Sequence, residues 1–236
     1  MGCGIQALPM KLIRRRLGGL DILEKPGDPQ RGTIVLLHGF GADANDLAPL
    51  CNTYEGPTWI FPQGPLEIPF SPDDHGRAWF PVNIALLTRA VQERRWDEIF
   101  KAFPPQLNEA RDCVDALLDA LNIPRSQIVL GGFSQGAVLA VETALHSPLR
   151  CGGLVIFSGT LINEINWRQL APLHRETPFF QSHGTHDPLL PLPNAQALSL
   201  LLQEGGLKGE LYTFKGGHDI PSIILKQLSS FLHNLI

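Results

Sequence analysis

Short apolar runs separated by glycine-, proline- and charge-rich stretches recur along the chain, and they alternate with segments of helical spacing. Thr33–Leu37, Thr58–Phe61, Ile128–Leu130, Gly153–Phe157 and Pro178–Gly184 are runs of three to seven residues of the kind that form parallel strands covered on both faces. Residues 11–24 predict two short strands joined at Gly18-Gly19, a dipeptide that accepts the positive backbone angles of a tight hairpin. From Gln106, Leu107, Ala110, Val114, Leu117, Leu118 and Leu121 recur at three- and four-residue steps, so this segment predicts an amphipathic helix ended by Asn122-Ile123-Pro124. Further helices are predicted from about residue 86 to 103, from Gln135 to about His146, from 194 to 204 and from 221 to 235, with a last strand over 210–214. Residues 65–87, rich in Pro, Asp and aromatics, predict a long loop of the kind that builds a binding site.

Strands alternating with helices predict an α/β chain with a doubly wound, mostly parallel sheet and an antiparallel N-terminal edge. No internal repeat, low-complexity stretch or linker divides it, so residues 1–236 are expected to form one domain, with residues 1–10 a flexible extension. In such sheets ligands bind beyond the carboxyl ends of the strands. Phe40, Ser134, Asp187 and His218 each fall just after a predicted strand and therefore meet at one edge.

Composition narrows the function. The net charge is −4 and 18% of residues are charged, which leaves no electrostatic footprint for nucleic acid; the one dense basic run, Arg14-Arg15-Arg16, reads as a solvated edge strand. No apolar run approaches the length of a membrane span. Cys3, Cys51, Cys113 and Cys151 have neither zinc-ligand nor disulfide-framework spacing, which favours a reducing, cytoplasmic setting. His183 and His186 hint at a metal pair, but no third ligand follows at a suitable spacing, so no metal is expected. The start Met-Gly-Cys-Gly invites acylation; Gln6 stands where the myristoylation pattern needs Ser or Thr, so lipidation at Gly2 or Cys3 is the weaker reading.

The candidate chemistry centres on Gly132-Phe133-Ser134-Gln135-Gly136, a strand, an abrupt glycine-flanked turn and a helix with a serine at the apex. This is the layout of a nucleophile elbow; its alternative is a tight connection whose serine merely caps the helix. A serine hydroxyl needs a base and an acid behind that base. Ser134, Asp187 and His218 supply nucleophile, orienting acid and base in the order this architecture uses. Asp219 and Asp46 are rival acids, although Asp219 adjoins the histidine in sequence and is poorly placed to orient it. The backbone N–H groups of Phe40 and Gln135 are the expected oxyanion donors, with His38 bracing the first of these loops.

Taken together, His38-Gly39-Phe40-Gly41, the Ser-Gln-Gly elbow, His183-Gly184 leading to Asp187-Pro188, and Gly217-His218 resemble the phospholipase/carboxylesterase family, which includes acyl-protein thioesterases and bacterial carboxylesterases. The resemblance runs from about residue 33 to the end. It implies an α/β-hydrolase fold, no cofactor, and hydrolysis of small or medium acyl esters, lysophospholipids among them, through an acyl-serine; an acyl-protein thioesterase is the narrower alternative. Trp79-Phe80 looks like the family's Trp-aromatic pair. Trp79, Phe80, Leu86 and Leu87 are expected along the acyl side, their other reading being ordinary packing. The partner expected is a small acyl ester or thioester, with a homodimer left open. A catalytically silent hydrolase-fold binding protein is the competing class, disfavoured because no triad member is missing.

Overall fold

The computed structural model describes residues 12–71, 74–83 and 106–236, together with Ala85, Arg89, Glu93 and Pro104. The N-terminal extension with Gly2 and Cys3 lies outside them, and so does the helix expected over 86–103 apart from Arg89 and Glu93. Those two are helical and form an i,i+4 pair at 2.9 Å.

Strands β1 (Ile13–Leu17), β2 (Leu20–Lys25), β3 (Thr33–Leu37), β4 (Thr58–Pro62), β7 (Ile128–Phe133), β8 (Gly153–Phe157), β9 (Pro178–Gly184) and β10 (Lys208–Phe214) form one eight-stranded sheet in the order β1-β2-β4-β3-β7-β8-β9-β10. Six strands are mutually parallel; β2 runs antiparallel to β4 and β1 to β2. The hairpin turn was legible because Gly18 and Gly19 both adopt positive φ. Gly18 also has no room for a side chain, since a Cβ there would lie 2.3 Å from the Leu117 Cα.

Each central strand is apolar throughout yet still alternates between two cores. On one face, Val35, Leu37, Ile128, Leu130, Leu154 and Ile156 pack with helices α2 (Leu107–Ala120), α3 (Gln135–His146), α4 (Glu164–Leu170) and α5 (Leu192–Glu204). On the other, Ile34, Leu36, Val129, Val155 and Phe157 pack with α1 (Ala44–Leu47) and α6 (Ser222–Leu235). A fully buried aliphatic side chain of this kind stabilises the fold by about 1.5–3 kcal/mol, so both faces must be covered at once. Helix α2 buries the stripe expected of it: Leu107, Ala110, Val114, Leu117 and Leu118. Among the described residues no helix is long and apolar enough to cross a membrane.

Two elements depart from the sequence reading. Within the expected long loop lies a hairpin, β5 (Leu66–Ser71) with β6 (Asp74–Ala78), forming its own two-stranded sheet. Pro69 and Gly76 hide it, since proline removes a ladder donor and glycine offers nothing to pack; the register slips between Pro69 and Ser71. The connector after β8 contains α4, whose one buried residue is Trp167. That indole N–H donates to the buried Glu142 carboxylate of α3 at 2.5 Å, and a single buried residue leaves no periodicity to read.

The elbow is where the packing is tightest. A Cβ on Gly136 would lie 2.0 Å from the Leu37 carbonyl oxygen, and one on Gly132 would lie 2.5 Å from the Gly136 carbonyl carbon. Both clashes are with backbone, which cannot swing aside. Gly136→Ala is therefore expected to destabilise the protein by roughly 3 kcal/mol or more, lowering Tm by on the order of 10 °C. Gly19→Ala, with open space around it but φ of +86°, should cost about 1–2 kcal/mol. Thermal unfolding of the two variants checks the ranking; equal shifts would show that the elbow tolerates a side chain.

Candidate active site

The site assembles from the loops that leave the carboxyl ends of β3, β7, β9 and β10. Ser134 follows β7 with φ 54° and ψ −116°, a conformation that costs a non-glycine residue about 1–3 kcal/mol and persists only when its surroundings enforce it. Here the enforcement is visible: the Ser134 N–H donates to the Phe157 carbonyl of β8 at 2.9 Å, and its carbonyl accepts from Val138 at 3.1 Å to begin α3. Although Ser134 occupies the N-cap position, its side chain makes no capping hydrogen bond, so the capping alternative does not hold for the hydroxyl.

Strands β9 and β10 end level, with Gly184 opposite Phe214, so the loops that follow run together. Thr185 N–H donates to Phe214 O at 2.8 Å and His186 N–H to Gly216 O at 2.9 Å. A Cβ on Gly184 would lie 2.1 Å from the Gly217 carbonyl oxygen. This close approach brings Asp187 to His218, with Oδ2 2.6 Å from Nδ1. The carboxylate side chain has 0% exposure and the imidazole 12%. The other oxygen, Oδ1, accepts from the Leu189 and Leu190 N–H groups at 2.8 and 2.9 Å. Burial pushes the Asp187 carboxyl up, but the His218 hydrogen bond, the Leu190 N–H, the charge on His218 and the Leu189 N–H outweigh it and hold it below the ordinary carboxylate value. The rivals lie elsewhere: Asp219 is exposed and accepts from Ile220 N–H, and Asp46 is exposed in the first turn of α1.

Two contacts connect these groups to the serine. The His218 ring packs on Phe133, next to Ser134, with centroids 4.7 Å apart. A Cβ on Gly39 would lie 3.1 Å from Phe133 Cδ1 and 3.5 Å from Ser134 Cβ, so the loop carrying Phe40 runs directly along the elbow. The Gln135 N–H stands at the first position of a 12-residue helix, where no intrahelical acceptor reaches it. His38 braces the first loop: Nε2 accepts from Gly64 N–H at 2.9 Å, and Nδ1–H donates to Gly39 O at 2.8 Å. Burial lowers its pKa despite opposing pulls from the Gly39 carbonyl, Asp43 and Asp46, which keeps the ring neutral and in that tautomer.

Trp79 and Phe80 are buried at 1% and 5% exposure and hold the site from beneath. The Trp79 indole N–H donates to His38 O at 2.9 Å, Trp79 N–H donates to Gln135 Oε1 at 2.9 Å, and Gln135 Nε2 donates to Phe80 O at 2.7 Å. Leu86 and Leu87 lie outside the described residues. The Gln135 side chain, Phe133 and His183 are site residues the sequence reading missed or placed differently. His183 and His186 diverge: His186 is exposed, whereas His183 is fully buried, with Nε2 2.7 Å from Leu190 O and 3.3 Å from Asp187 Oδ2. It stands behind the same carboxylate as His218, and burial lowers its pKa against the pull of Leu190 and Asp187. The four-residue spacing of His183 and Asp187 was the one signal available, and it became readable only once β9 was seen to end between them.

A family model described as Phospholipase/Carboxylesterase matches residues 20–236. Acyl-protein thioesterase 1 of Eremothecium gossypii is 28% identical over 215 residues, spanning 86% of this chain and 88% of that protein. Among solved structures, esterase PE8 aligns with a TM-score of 0.75 at 22% identity, covering 96% of this chain and 100% of that one. The Bacillus cereus carboxylesterase aligns at 0.67 and 19% identity, covering 92% and 95%. At those identities the two structures show a common fold.

The depressed Asp187 pKa has a stated sign in stability. A carboxyl whose folded value lies below its unfolded one stabilises the fold fully above the unfolded value, and that contribution is lost as pH falls through the folded value. Asp187→Asn should therefore be less stable than the wild type at neutral pH, with the gap narrowing from roughly pH 5 to pH 2. Urea unfolding at a series of pH values measures it, and a gap independent of pH would contradict the assignment.

Proposed function

The chain belongs to the phospholipase/carboxylesterase family of α/β hydrolases, and on that premise we propose that it hydrolyses carboxylic esters or thioesters through an acyl-serine formed on Ser134. The observation that carries the reading is the 2.6 Å contact between a buried carboxylate and an imidazole that packs on Phe133, the residue before a strained serine whose hydroxyl does not cap its helix.

In this reading His218 Nε2 takes the Ser134 proton as Oγ attacks the acyl carbonyl, while Asp187 fixes the tautomer with the proton on Nδ1 and stabilises the imidazolium. The oxyanion that forms accepts from the Phe40 and Gln135 N–H groups, each such donor being worth about 3–4 kcal/mol. His218 then returns the proton to the departing alcohol or thiol. A water, deprotonated by the same imidazole, releases the acid and restores the serine. The bracing of His38, Trp79 and Gln135 supports this assignment, because the donors must be held in place before charge develops. Trp79 and Phe80 underlie the acyl side as its floor. Small and medium acyl esters, lysophospholipids among them, are the proposed substrates, with thioesters a second reading favoured by the acyl-protein thioesterase among the relatives. Cys113 and Cys151 are free thiols, which supports a cytoplasmic setting.

Ser134→Ala and His218→Ala should each lower turnover of a p-nitrophenyl ester by on the order of 10³-fold or more, and a fluorophosphonate should label Ser134 in the wild type. Asp187→Asn should lose far more activity than Asp219→Asn. Full activity in either of the first two variants would overturn the assignment of Ser134 and His218, whereas no turnover and no adduct in the wild type would leave the silent binding protein as the better reading. Matched oxygen and sulfur esters of increasing chain length then separate esterase from thioesterase.

A further inference from the structure

Beside the oxyanion loop lies a cavity of about 420 Å³ whose lining includes Arg14, Arg16, Asp21, Ala44, Gln63 and Arg77. It opens at the same sheet edge as Ser134, because the β1–β2 hairpin runs antiparallel to β4 and its Asp21 carbonyl accepts from Gln63 N–H just past the end of β4. Its far wall is β6, where Arg77 N–H donates to Ala42 O and Arg77 O accepts from Gly41 N–H, both at 2.8 Å. The residue next to Phe40 is thus tied to a cavity-lining arginine.

The charge balance of this cavity is unusual for a chain of net charge −4. Arg15, on the wall between them, is neutralised by Glu24. Arg14 and Arg16 form no ion pair among the described residues; each spends one donor on a neutral acceptor, Asn45 Oδ1 at 2.9 Å and Gly19 O at 3.1 Å. A guanidinium carries five N–H donors in a planar fork, so most of theirs stay unspent. The Arg77 Nε is buried with no partner, and its Nη1 stands 3.7 Å from an exposed Glu67 oxygen, beyond hydrogen-bond reach. Against these three cations the lining sets one carboxylate, Asp21, across the hairpin from Arg16. The nearby Asp43 is engaged in capping α1, its oxygens accepting from the N–H and amide of Asn45.

Arg14 and Arg16, with no ion pair among the described residues, and Arg77, with only a long one to Glu67, raise the energy of the empty cavity, and an anion reverses that sign. Forked donors from more than one arginine suit a phosphate, which offers three oxygens and more negative charge than a carboxylate. The volume falls within the range of small-molecule pockets, about 300–1,000 Å³, and exceeds what a bare ion fills. We propose that this cavity binds a small phosphomonoester, its phosphate held by Arg14, Arg16 and Arg77, and that occupancy acts on turnover through the Arg77 link to the Gly41–Ala42 backbone. The binding stands independently of the catalytic reading; the effect on turnover rests on Phe40 as an oxyanion donor.

Calorimetric titration of glycerol 3-phosphate into Ser134→Ala protein measures the binding without catalysis, with inorganic phosphate and glycerol as separate arms. Saturable binding of glycerol 3-phosphate is expected, weaker binding of inorganic phosphate and none of glycerol. Arg14→Gln/Arg16→Gln, both at exposed positions, should weaken it at least tenfold with an unchanged Tm; Arg14→Lys/Arg16→Lys, keeping the charge but not the fork, should fall between. Equal affinity in the wild-type background and the glutamine variant overturns the site, and inorganic phosphate binding as tightly as the phosphomonoester overturns its ligand class. In the wild-type enzyme, glycerol 3-phosphate should change turnover of a neutral p-nitrophenyl ester at least twofold, with a midpoint at the calorimetric Kd. Binding without that change overturns the coupling alone, whereas loss of turnover chemistry altogether would fault the catalytic reading and leave the binding result intact.

Discussion

The close approach of two backbones at the elbow is the constraint on which the rest of the site depends. Helix α3 enters so near the end of β3 that position 136 has no room for a side chain beside the Leu37 and His38 carbonyl oxygens. That proximity forces Ser134 into its positive-φ turn, sets the head of α3 beside the Gly39–Phe40 loop, and brings the Gln135 side chain within reach of Trp79 and Phe80. A looser crossing would relax the serine and separate the two backbone donors together. Strain and preorganisation are here two consequences of one packing contact.

The second half of the site is built by a different device. Asp187 is fully buried as a side chain, yet it is satisfied from three directions: two loop amides, His218 and, more distantly, His183. A buried carboxylate without such partners would take up a proton. With them it remains an anion, and the anion is what orients the imidazole. The glycine contact between positions 184 and 217 is therefore to Asp187 and His218 what the 136 contact is to Ser134.

Much of this was legible in the sequence wherever an element carries its own signal. The continuous apolar runs of β3, β7, β8 and β9, the stripe of α2 and the Gly18-Gly19 turn each state their structure locally, and the strand-end positions of Ser134, Asp187 and His218 placed all three at one sheet edge, where Asp187 and His218 are in contact. The illegible features share a cause, since they are satisfied across the fold. The β5–β6 hairpin is held although Pro69 and Gly76 argue against strand. Helix α4 is anchored by one tryptophan on Glu142. The Gln135 side chain spends its donor and acceptor on residues 55 and 56 positions away, and no spacing rule reaches that far.

The arginine run on β1 has one further consequence, which concerns the sheet as an object among its own copies. β1 is an outermost strand, and an outermost strand presents unpaired backbone groups to any passing chain of similar shape. Arg14 and Arg16, exposed and without an ion pair among the described residues, make that border repel its own image, so two molecules that zip their sheets together there set cation against cation. The opposite border, β10, mixes Lys208 with Glu210 and lacks such a uniform sign. Arg14 and Arg16, which would hold the proposed anion, are thus also the side chains that guard the β1 border of the sheet.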